Sequence, residues 1–149
     1  MRIMEEPKEL LESTGYLLAR LGSQSRRRFV EALAREELTL AAYSVVMLLG
    51  VEQGVTQRRL GHVLGIDPRN LTPILDDLED RRWITRGTHM YDRRRNAVML
   101  TDYGRAKMTK LARVGERVED DFLRPLSARQ QKQLHLLLKR LLTGNMSQQ

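Results

Sequence analysis

Residues 56–81 read TQRRLGHVLGIDPRNLTPILDDLEDR, and this stretch predicts two short helices joined by a tight turn. Thr56 suits the N-cap of a helix over residues 57–64, and Gly65 suits its end. A second helix is predicted over residues 68–81. Two short helices around a glycine-containing turn are typical of a helix-turn-helix, although a purely structural helical hairpin has the same pattern.

The second helix of this pair has one apolar face and one polar face. Asp67 suits its N-cap, and Pro68 suits its first position, where a missing N–H costs nothing. Leu71, Leu75 and Leu78 follow at helical spacing and predict a buried stripe. The remaining side chains of its first turns are expected to face outward: Arg69, Asn70, Thr72, Pro73 and Asp76.

A β-hairpin is predicted directly behind these two helices. Residues 83–86 and 97–100 are short, apolar and strand-like. Residues 81–95 contain six arginines and a single acidic residue. A hairpin attached behind a helix-turn-helix makes a winged helix, and its basic loop is the most positively charged part of the chain.

Longer helices flank this unit on both sides. One long helix is predicted over residues 7–37, and a nearly all-apolar one over residues 40–52 is expected at the centre of the core. A fifth helix is predicted over residues 102–123. The sixth opens with a capping box at residues 127–130, and its end is expected to fray from residue 144. Its apolar stripe comprises Leu134, Leu137, Leu138, Leu141 and Leu142.

The composition limits the classes of function. The chain has 149 residues, the size of one domain, and 41% of them are hydrophobic. The net charge is +7, and 21 of the 26 basic residues are arginine, so nucleic acid is the expected partner. Cysteine is absent, which excludes disulfides and thiol redox sensing. Neither a signal-peptide core nor the ~20 apolar residues of a bilayer span occurs, so we expect a cytoplasmic protein without a membrane partner.

The order of the motifs resembles a known family. Asp92-Arg93-Arg94 precedes Leu100-Thr101-Asp102-Tyr103-Gly104, at the spacing of an Asp-x-Arg wing and a Leu-Thr-x-x-Gly helix start. Supporting matches are Thr56-Gln57, Leu64-Gly65-Ile66 and Leu71-Thr72-Pro73. Together these motifs resemble the multiple antibiotic resistance regulator (MarR) family of bacterial transcription factors, over nearly the whole chain.

The resemblance implies a mainly α-helical fold with six helices and a small β-hairpin wing. It implies one domain over residues 1–149, with a winged helix-turn-helix lobe at 38–100 and a dimerisation lobe at 7–37 and 101–143. In this family the first, fifth and sixth helices interlock two subunits, so a homodimer is expected. The leucine stripe of the last helix fits that role because a terminal apolar face needs a cover. Packing inside its own chain is the alternative.

The resemblance also assigns contacts to double-stranded DNA. The second helix of the pair enters the major groove, where arginine pairs with guanine and asparagine with adenine. The expected contacts there are Arg69, Asn70 and Thr72, with Pro73 beside them. Thr56 and Gln57 are expected to donate to a phosphate at a helix N-terminus.

The wing contributes the remaining expected contacts. Arg94 is expected in the minor groove, where a narrow A·T stretch attracts arginine. Asp92 is expected to orient that arginine through a charge-assisted pair. Phosphate contacts are expected from Arg86, Arg93 and Arg95, although simple solvation is the alternative for any one of them.

Many members of the family bind small aromatic compounds that weaken DNA binding. The residues expected to line such a site are Tyr16, Arg20, Tyr43, Met47 and Met108, although tyrosine and methionine at helical spacing more often belong to a core. No cofactor is expected. A metal site is not expected either, because the three histidines are scattered and have no cysteine or paired acid beside them.

These features predict a sequence-specific transcriptional regulator, and a repressor is favoured over an activator. It would bind a pseudo-palindromic operator as a homodimer, with half-sites ~10 bp apart. The alternatives are a winged-helix module that binds protein and a non-specific architectural DNA binder. An enzyme is not expected, because no nucleophile–base arrangement, phosphate-binding glycine loop or metal spacing occurs.

Several positions depart from the family pattern: Arg59 replaces a frequent glutamate, Gly61 replaces a frequent alanine, and three further departures lie in or just after the second helix of the pair. Asp77 stands where a basic residue is usual and is expected to pair with Arg81, four residues on. Arg82 occupies the glycine position that ends the helix, and a left-handed conformation there costs ~1 kcal/mol or more. Pro73 lies inside the helix and removes the hydrogen bond to the carbonyl of Arg69.

Overall fold

The part of the chain that the structure describes folds into seven helices and a three-stranded sheet. The structure is a computed structural model that describes residues 7–87 and 97–146. Its elements in chain order are α1 (Lys8–Leu11), α2 (Thr14–Arg35), α3 (Leu40–Val51), β1 (Val55–Thr56), α4 (Gln57–Leu64), α5 (Pro68–Asp80), β2 (Ile84–Gly87), β3 (Ala97–Leu100), α6 (Asp102–Leu123) and α7 (Ala128–Met146). The mainly helical fold with a small β-hairpin is confirmed.

The prediction of one helix over residues 7–37, and with it the count of six helices, is wrong. The helix is interrupted between α1 and α2. There Ser13 has extended backbone angles, and its Oγ accepts the N–H of Tyr16 at 3.3 Å. A serine that caps a new helix stops the preceding one. At its other end α2 stops at Arg35, and Glu37 adopts a left-handed φ of 55°.

The C-terminal end of α7 is also more regular than predicted. Fraying from residue 144 was expected, but the helix continues to Met146. Asn145 Nδ2 donates to the carbonyl of Leu141 at 2.8 Å, so a side chain binds one of the carbonyls near the helix end. Residues 147–149 lie outside the described part of the chain.

The helix pair forms as its caps predict. Thr56 Oγ1 accepts the N–H of Arg59 at 3.2 Å, and Gly65 ends α4 with a φ of 63°. Asp67 Oδ1 accepts the N–H of Arg69 at 2.8 Å, which fixes the start of α5. The interior of α5 is the predicted leucine stripe, because all three leucines at 71, 75 and 78 are at most 1% exposed.

Helix α3 lies at the centre of the core, as its apolar sequence predicts. Val45, Val46 and Leu49 are buried and belong to one cluster with residues of the helix pair and the sheet. Leu33 of α2 and Leu111 of α6 enter the same cluster. The winged lobe therefore shares its core with the helices that flank it.

The sheet has the order β1-β3-β2 and is antiparallel throughout. Strand β1 was not predicted, and Val55 in it pairs with Val98 of β3. On the other side of β3, Arg86 of β2 pairs with the same Val98. Because β1 directly precedes α4, the central strand joins the base of the wing to the start of the helix pair.

Trp83 was predicted to begin the first wing strand, but it ends the turn after α5. Its N–H donates to the carbonyl of Leu78 at 2.9 Å, and the N–H of Arg82 donates to Glu79 at 2.8 Å. These two bonds form a Schellman-type helix end, which needs a left-handed residue. Arg82 supplies it with a φ of 62°, as its position predicts.

We expect Arg82→Gly to stabilise the protein by about 0.5–1 kcal/mol. The left-handed conformation costs arginine about 1–2 kcal/mol, and the extra freedom of glycine in the unfolded chain offsets part of the gain. Urea denaturation measures the difference. Gly65→Ala is the matched control: it has a φ of 63° with no atom within 4 Å of an added Cβ, so it should destabilise through the backbone alone. A loss of stability in Arg82→Gly would contradict the strain.

Candidate nucleic-acid interface

The N-terminal half of α5 presents an exposed polar face opposite its leucine stripe. Arg69, Asn70, Thr72 and Pro73 are all exposed, as predicted. The buried stripe fixes the rotation of α5, so these side chains point away from the core. An exposed arginine and asparagine side by side offer hydrogen-bonding groups of the kind that base edges accept in a major groove.

The hydroxyl of Thr72 is already used inside the helix pair. Its Oγ1 donates to the carbonyl of Pro68 at 3.0 Å and accepts from Gln57 Nε2 at 2.9 Å. The bond from Gln57 ties the start of α4 to the exposed face of α5. What Thr72 still offers a base is mainly its methyl group, and a methyl contact favours thymine.

The two helix N-termini differ in their charge. Thr56 caps α4 with a neutral hydroxyl, whereas Asp67 caps α5 with a carboxylate. A helix N-terminus attracts anions, but a carboxylate already in place repels a phosphate. The geometry therefore favours the start of α4, where Thr56 and Gln57 lie, as the place for a phosphate.

The C-terminal end of α5 is anchored by Arg81. Its Nε lies 2.9 Å from Asp77 Oδ2, which confirms the predicted pair. Its Nη1 donates to the carbonyl of Glu37 at 3.0 Å, in the turn between α2 and α3. Asp77 thus holds an arginine that fixes α5 against the preceding helices.

Arg86 forms a polar contact between α5 and strand β2 of the wing. Its Nη2 lies 2.6 Å from both Asp76 Oδ1 and Glu79 Oε2, and its Nε donates to the same Glu79 oxygen at 3.0 Å. The Arg86 side chain is 25% exposed. The hydrogen bond from Arg86 holds the pKa of the Glu79 carboxyl below its ordinary value.

Sequence reasoning missed the part of Glu79 in this contact. The signal available was an acidic pair on α5, Asp76 and Glu79, placed three residues apart and thus on one face of a helix. The phosphate contact predicted for Arg86 remains a prediction. The wing residues Asp92, Arg93, Arg94 and Arg95 lie outside the described residues, and their roles remain predictions as well.

Two of the candidate effector residues, Tyr43 and Met108, lie against the same core. Tyr43 packs edge-on against Phe29, with ring centroids 4.9 Å apart, and both rings lie against the core with Met108. Tyr16 and Met47 are half-buried, and Arg20 is exposed. A surface depression lies elsewhere, on α7, and is lined by Leu137, Arg140, Leu141, Gly144 and Asn145. An effector site at the predicted residues remains a prediction.

Residues 7–87 and 97–146 contain neither a metal-binding cluster nor a membrane-spanning helix. Within that part of the chain, no group of three or more His, Cys, Asp or Glu side chains could hold a metal ion. None of the helices described there is long and apolar enough to cross a membrane.

The chain is similar in sequence and in structure to known transcriptional regulators and MarR family proteins. A sequence profile of the MarR family matches residues 38–95. The HTH-type transcriptional regulator SarZ of Staphylococcus saprophyticus is 28% identical over 120 residues, which cover 80% of this chain and 82% of SarZ. The match thus extends beyond the winged lobe into the flanking helices.

Solved structures of one relative have the same fold. The MarR family protein Rv2887 of Mycobacterium tuberculosis, crystallised with DNA, superposes with a TM-score of 0.76 at 26% identity, over 87% of this chain and 97% of that one. The same protein in complex with salicylic acid superposes with a TM-score of 0.71 at 27% identity, over 87% and 96% of the two chains.

Proposed function

We propose that this chain, which belongs to the MarR family, is a sequence-specific DNA-binding transcriptional regulator that acts as a repressor. The observation that carries this function is the exposed face of α5. Arg69 and Asn70 are exposed beside Thr72, on a helix whose other face is held in the core. The net charge of +7 favours a polyanionic partner for this face. Relatives that are regulators, including one crystallised with DNA, support it.

The residues that we propose at the DNA follow the sequence prediction. In the major groove they are Arg69, Asn70, Thr72 and Pro73, and at the phosphate backbone Thr56 and Gln57. In the wing, Arg94 would enter the minor groove, Asp92 would orient it, and Arg93 and Arg95 would contact phosphates. Since a repressor acts on the chromosome, the cytoplasm is its proposed location.

A homodimer is the proposed binding unit. Helix α7 has no buried residue, and four leucines of its apolar stripe are 41–64% exposed: Leu137, Leu138, Leu141 and Leu142. Exposed apolar area of this kind needs a cover. A second copy supplies it. It also supplies a second copy of α5, here the proposed recognition helix, which a two-fold operator requires.

A small aromatic acid is the proposed class of effector. The basis is the relative Rv2887, which has been crystallised with salicylic acid. The chain itself contributes two aromatic side chains near α6, Phe29 and Tyr43, which lie 3.7 and 3.9 Å from a Cβ added at Gly115. Titration of the DNA complex with salicylate would release the DNA if this proposal holds.

A protein-binding winged helix is the second candidate function. The C-terminal half of α5 is acidic, with Asp76, Asp77, Glu79 and Asp80. That half of the helix would repel a phosphate backbone, whereas it would suit a basic protein surface. The polar N-terminal half and the net charge favour DNA.

Selection of bound sequences from a random duplex pool, at physiological salt, tests the proposed function. We expect an inverted repeat with half-sites ~10 bp apart. A motif without symmetry would contradict the dimer. Salt-dependent binding without any motif would indicate an architectural DNA binder, and no binding would favour the protein-binding candidate.

The variant Asn70→Ala refines this test. If Asn70 reads an adenine, the variant should lose about 1–3 kcal/mol of binding free energy for the selected site and relax the preference at one position in each half-site. Binding to an unrelated duplex should be unchanged. A uniform loss across all sequences would instead assign Asn70 to the phosphate backbone.

A further inference from the structure

Arg86 connects α5 to strand β2 at the base of the wing. The hydrogen bonds that it makes there occupy the side chain that was predicted to contact a phosphate. Its guanidinium contacts Asp76 and Glu79, and its own N–H donates to Glu79 Oε1 at 3.1 Å. One carboxylate thus binds the side chain and the main chain of the same residue. We propose that Arg86 is a positioning residue, which fixes the wing relative to α5, and that it is not a phosphate contact. This inference rests on the proposed DNA-binding function.

We call the contact of Arg86 with Asp76 and Glu79 the clamp. The position of Arg86 in the sheet explains why such a contact is needed there. Strand β2 is an edge strand, because β3 lies between it and β1. An edge strand has N–H groups that no neighbouring strand can bind. Glu79 binds the N–H of Arg86, so α5 takes the place of the missing strand. Strand β2 ends at Gly87, so Arg86 lies one residue before the end of the strand.

The charges around Arg86 oppose a phosphate. Its single positive charge faces two carboxylates, both within 2.6 Å, so the group of three carries a net charge of −1. A phosphate would have to displace a carboxylate that is already hydrogen-bonded, and it would meet the negative charge of the other. Arg69, in contrast, is exposed.

A fixed angle between α5 and the wing matters for reading DNA. The proposed contacts lie in two grooves, with α5 in one and the wing in the other, and both must reach their bases in the same complex. If the two elements move independently, each specific complex must order them again, at a cost in affinity. Non-specific binding needs no fixed register and should be less sensitive to that motion.

The substitution Glu79→Gln separates the two roles of Arg86 by the sign of its effect. If Arg86 contacts a phosphate, removal of the neighbouring negative charge frees the arginine and raises DNA affinity. If Arg86 is a clamp, the same substitution weakens it, and affinity for the selected site falls by about tenfold. Affinities for the selected site and for a scrambled duplex are measured by fluorescence anisotropy at several salt concentrations.

The substitution Arg86→Met gives an independent second readout. As a clamp variant it should lower affinity for the selected site while the slope of log K against log salt stays unchanged. Loss of a phosphate contact would reduce that slope by ~0.9 and weaken both duplexes alike. Arg82→Gly, added to either variant, offsets lost stability, so that a fall in affinity cannot be ascribed to unfolding.

Glu52→Gln is the matched control. Glu52 also binds an arginine, with its Oε2 at 2.9 Å from Arg59 Nε, and that bond lowers the Glu52 pKa. This pair joins the end of α3 to α4, and neither residue belongs to the wing strands β2 and β3. The control removes the same charge and should leave the ratio of specific to non-specific affinity unchanged.

The outcomes separate this inference from the proposed function. A fall in the specificity ratio for both Glu79→Gln and Arg86→Met, with the control unchanged, supports the clamp. Higher affinity in Glu79→Gln, or a smaller salt slope in Arg86→Met, overturns it while the proposed function stands. If the wild-type protein binds no duplex, the proposed function fails. Equal protection of the Arg86 amide from hydrogen exchange in wild type and Glu79→Ala, which removes the acceptor oxygen, would then overturn the clamp by itself.

Discussion

The double variant Leu138→Gln, Leu141→Gln should be a monomer that no longer binds its operator at micromolar concentration. Both leucines lie on the apolar stripe of α7 and are 41% and 50% exposed. Full burial of a leucine side chain is worth about 1.5–3 kcal/mol, so the half still exposed is worth about 1 kcal/mol. A two-fold dimer would bury four such side chains. The expected loss is about 4 kcal/mol, or about a thousandfold in the dimer dissociation constant.

The matched control lies on the same helix. Leu136 is 57% exposed but lies on the far side of α7 from Leu138 and Leu141, because adjacent residues are 100° apart around an α-helix. Leu136→Gln should therefore leave the dimer intact. Sedimentation equilibrium measures the association, and a duplex carrying the selected site reports DNA binding. A dimeric double variant with full DNA affinity would contradict the proposed interface.

Gly104→Ala should destabilise the fold by about 3 kcal/mol or more. A Cβ at Gly104 would overlap the carbonyl oxygen of Trp83 and would lie 2.9 Å from its carbonyl carbon. Both atoms belong to the backbone, so no rotation of a side chain relieves the clash, and overpacking of this kind is costly. The turn after α5 and the first turn of α6 would have to separate. Thermal unfolding of the variant, compared with the wild type, measures the effect.

Gly50→Ala is the informative comparison for this glycine. There the added Cβ would meet the sulfur of Met108, at the flexible end of a side chain that can rotate away. The gain in helix propensity offsets part of that rearrangement, so we expect a change within about 1 kcal/mol. Equal losses at the two positions would show that side-chain packing, and not the backbone of Trp83, sets the requirement for glycine at 104.

The contact of Gly104 with the backbone of Trp83 explains why the Leu-Thr-x-x-Gly motif needs its glycine. In the Leu-Thr-x-x-Gly start of α6, Thr101 Oγ1 accepts the N–H of Gly104 at 2.9 Å and donates to the carbonyl of Arg82 at 2.6 Å. The threonine therefore caps α6 and holds it to the turn after α5. The glycine is required because that turn then lies against the first turn of α6.

The helix pair could be predicted from the sequence because its signals are local. Caps at Thr56 and Asp67, the glycine at 65 and a leucine stripe each act within one helical turn. The break at Ser13 was missed because leucines continue on both sides of it, and apolar spacing alone does not show that a serine caps a new helix. Strand β1 was missed because only two residues form it, too few for any alternation to appear.

The outward face of the candidate interface was predictable, but its internal bonds were not. Exposure of Arg69 and Asn70 follows from the leucine stripe on the other side of α5. The bond from Gln57 to Thr72 and the contact of Glu79 with Arg86 depend on how two elements approach across a turn. No spacing rule within one helix or strand fixes that approach.

Within residues 7–87 and 97–146, Glu37 and Arg82 are the two left-handed residues other than glycine, and they bear on how this protein could change its target. A regulator that acquires a new operator must replace side chains on its reading face, and most substitutions lower stability. Every arginine codon and every glutamate codon is one base change from a glycine codon. A single mutation to glycine at either position would therefore raise the free energy of unfolding. Both positions lie apart from the residues proposed to read the bases. A lineage that first acquired such a stabilising substitution could afterwards tolerate more destabilising substitutions on the recognition helix.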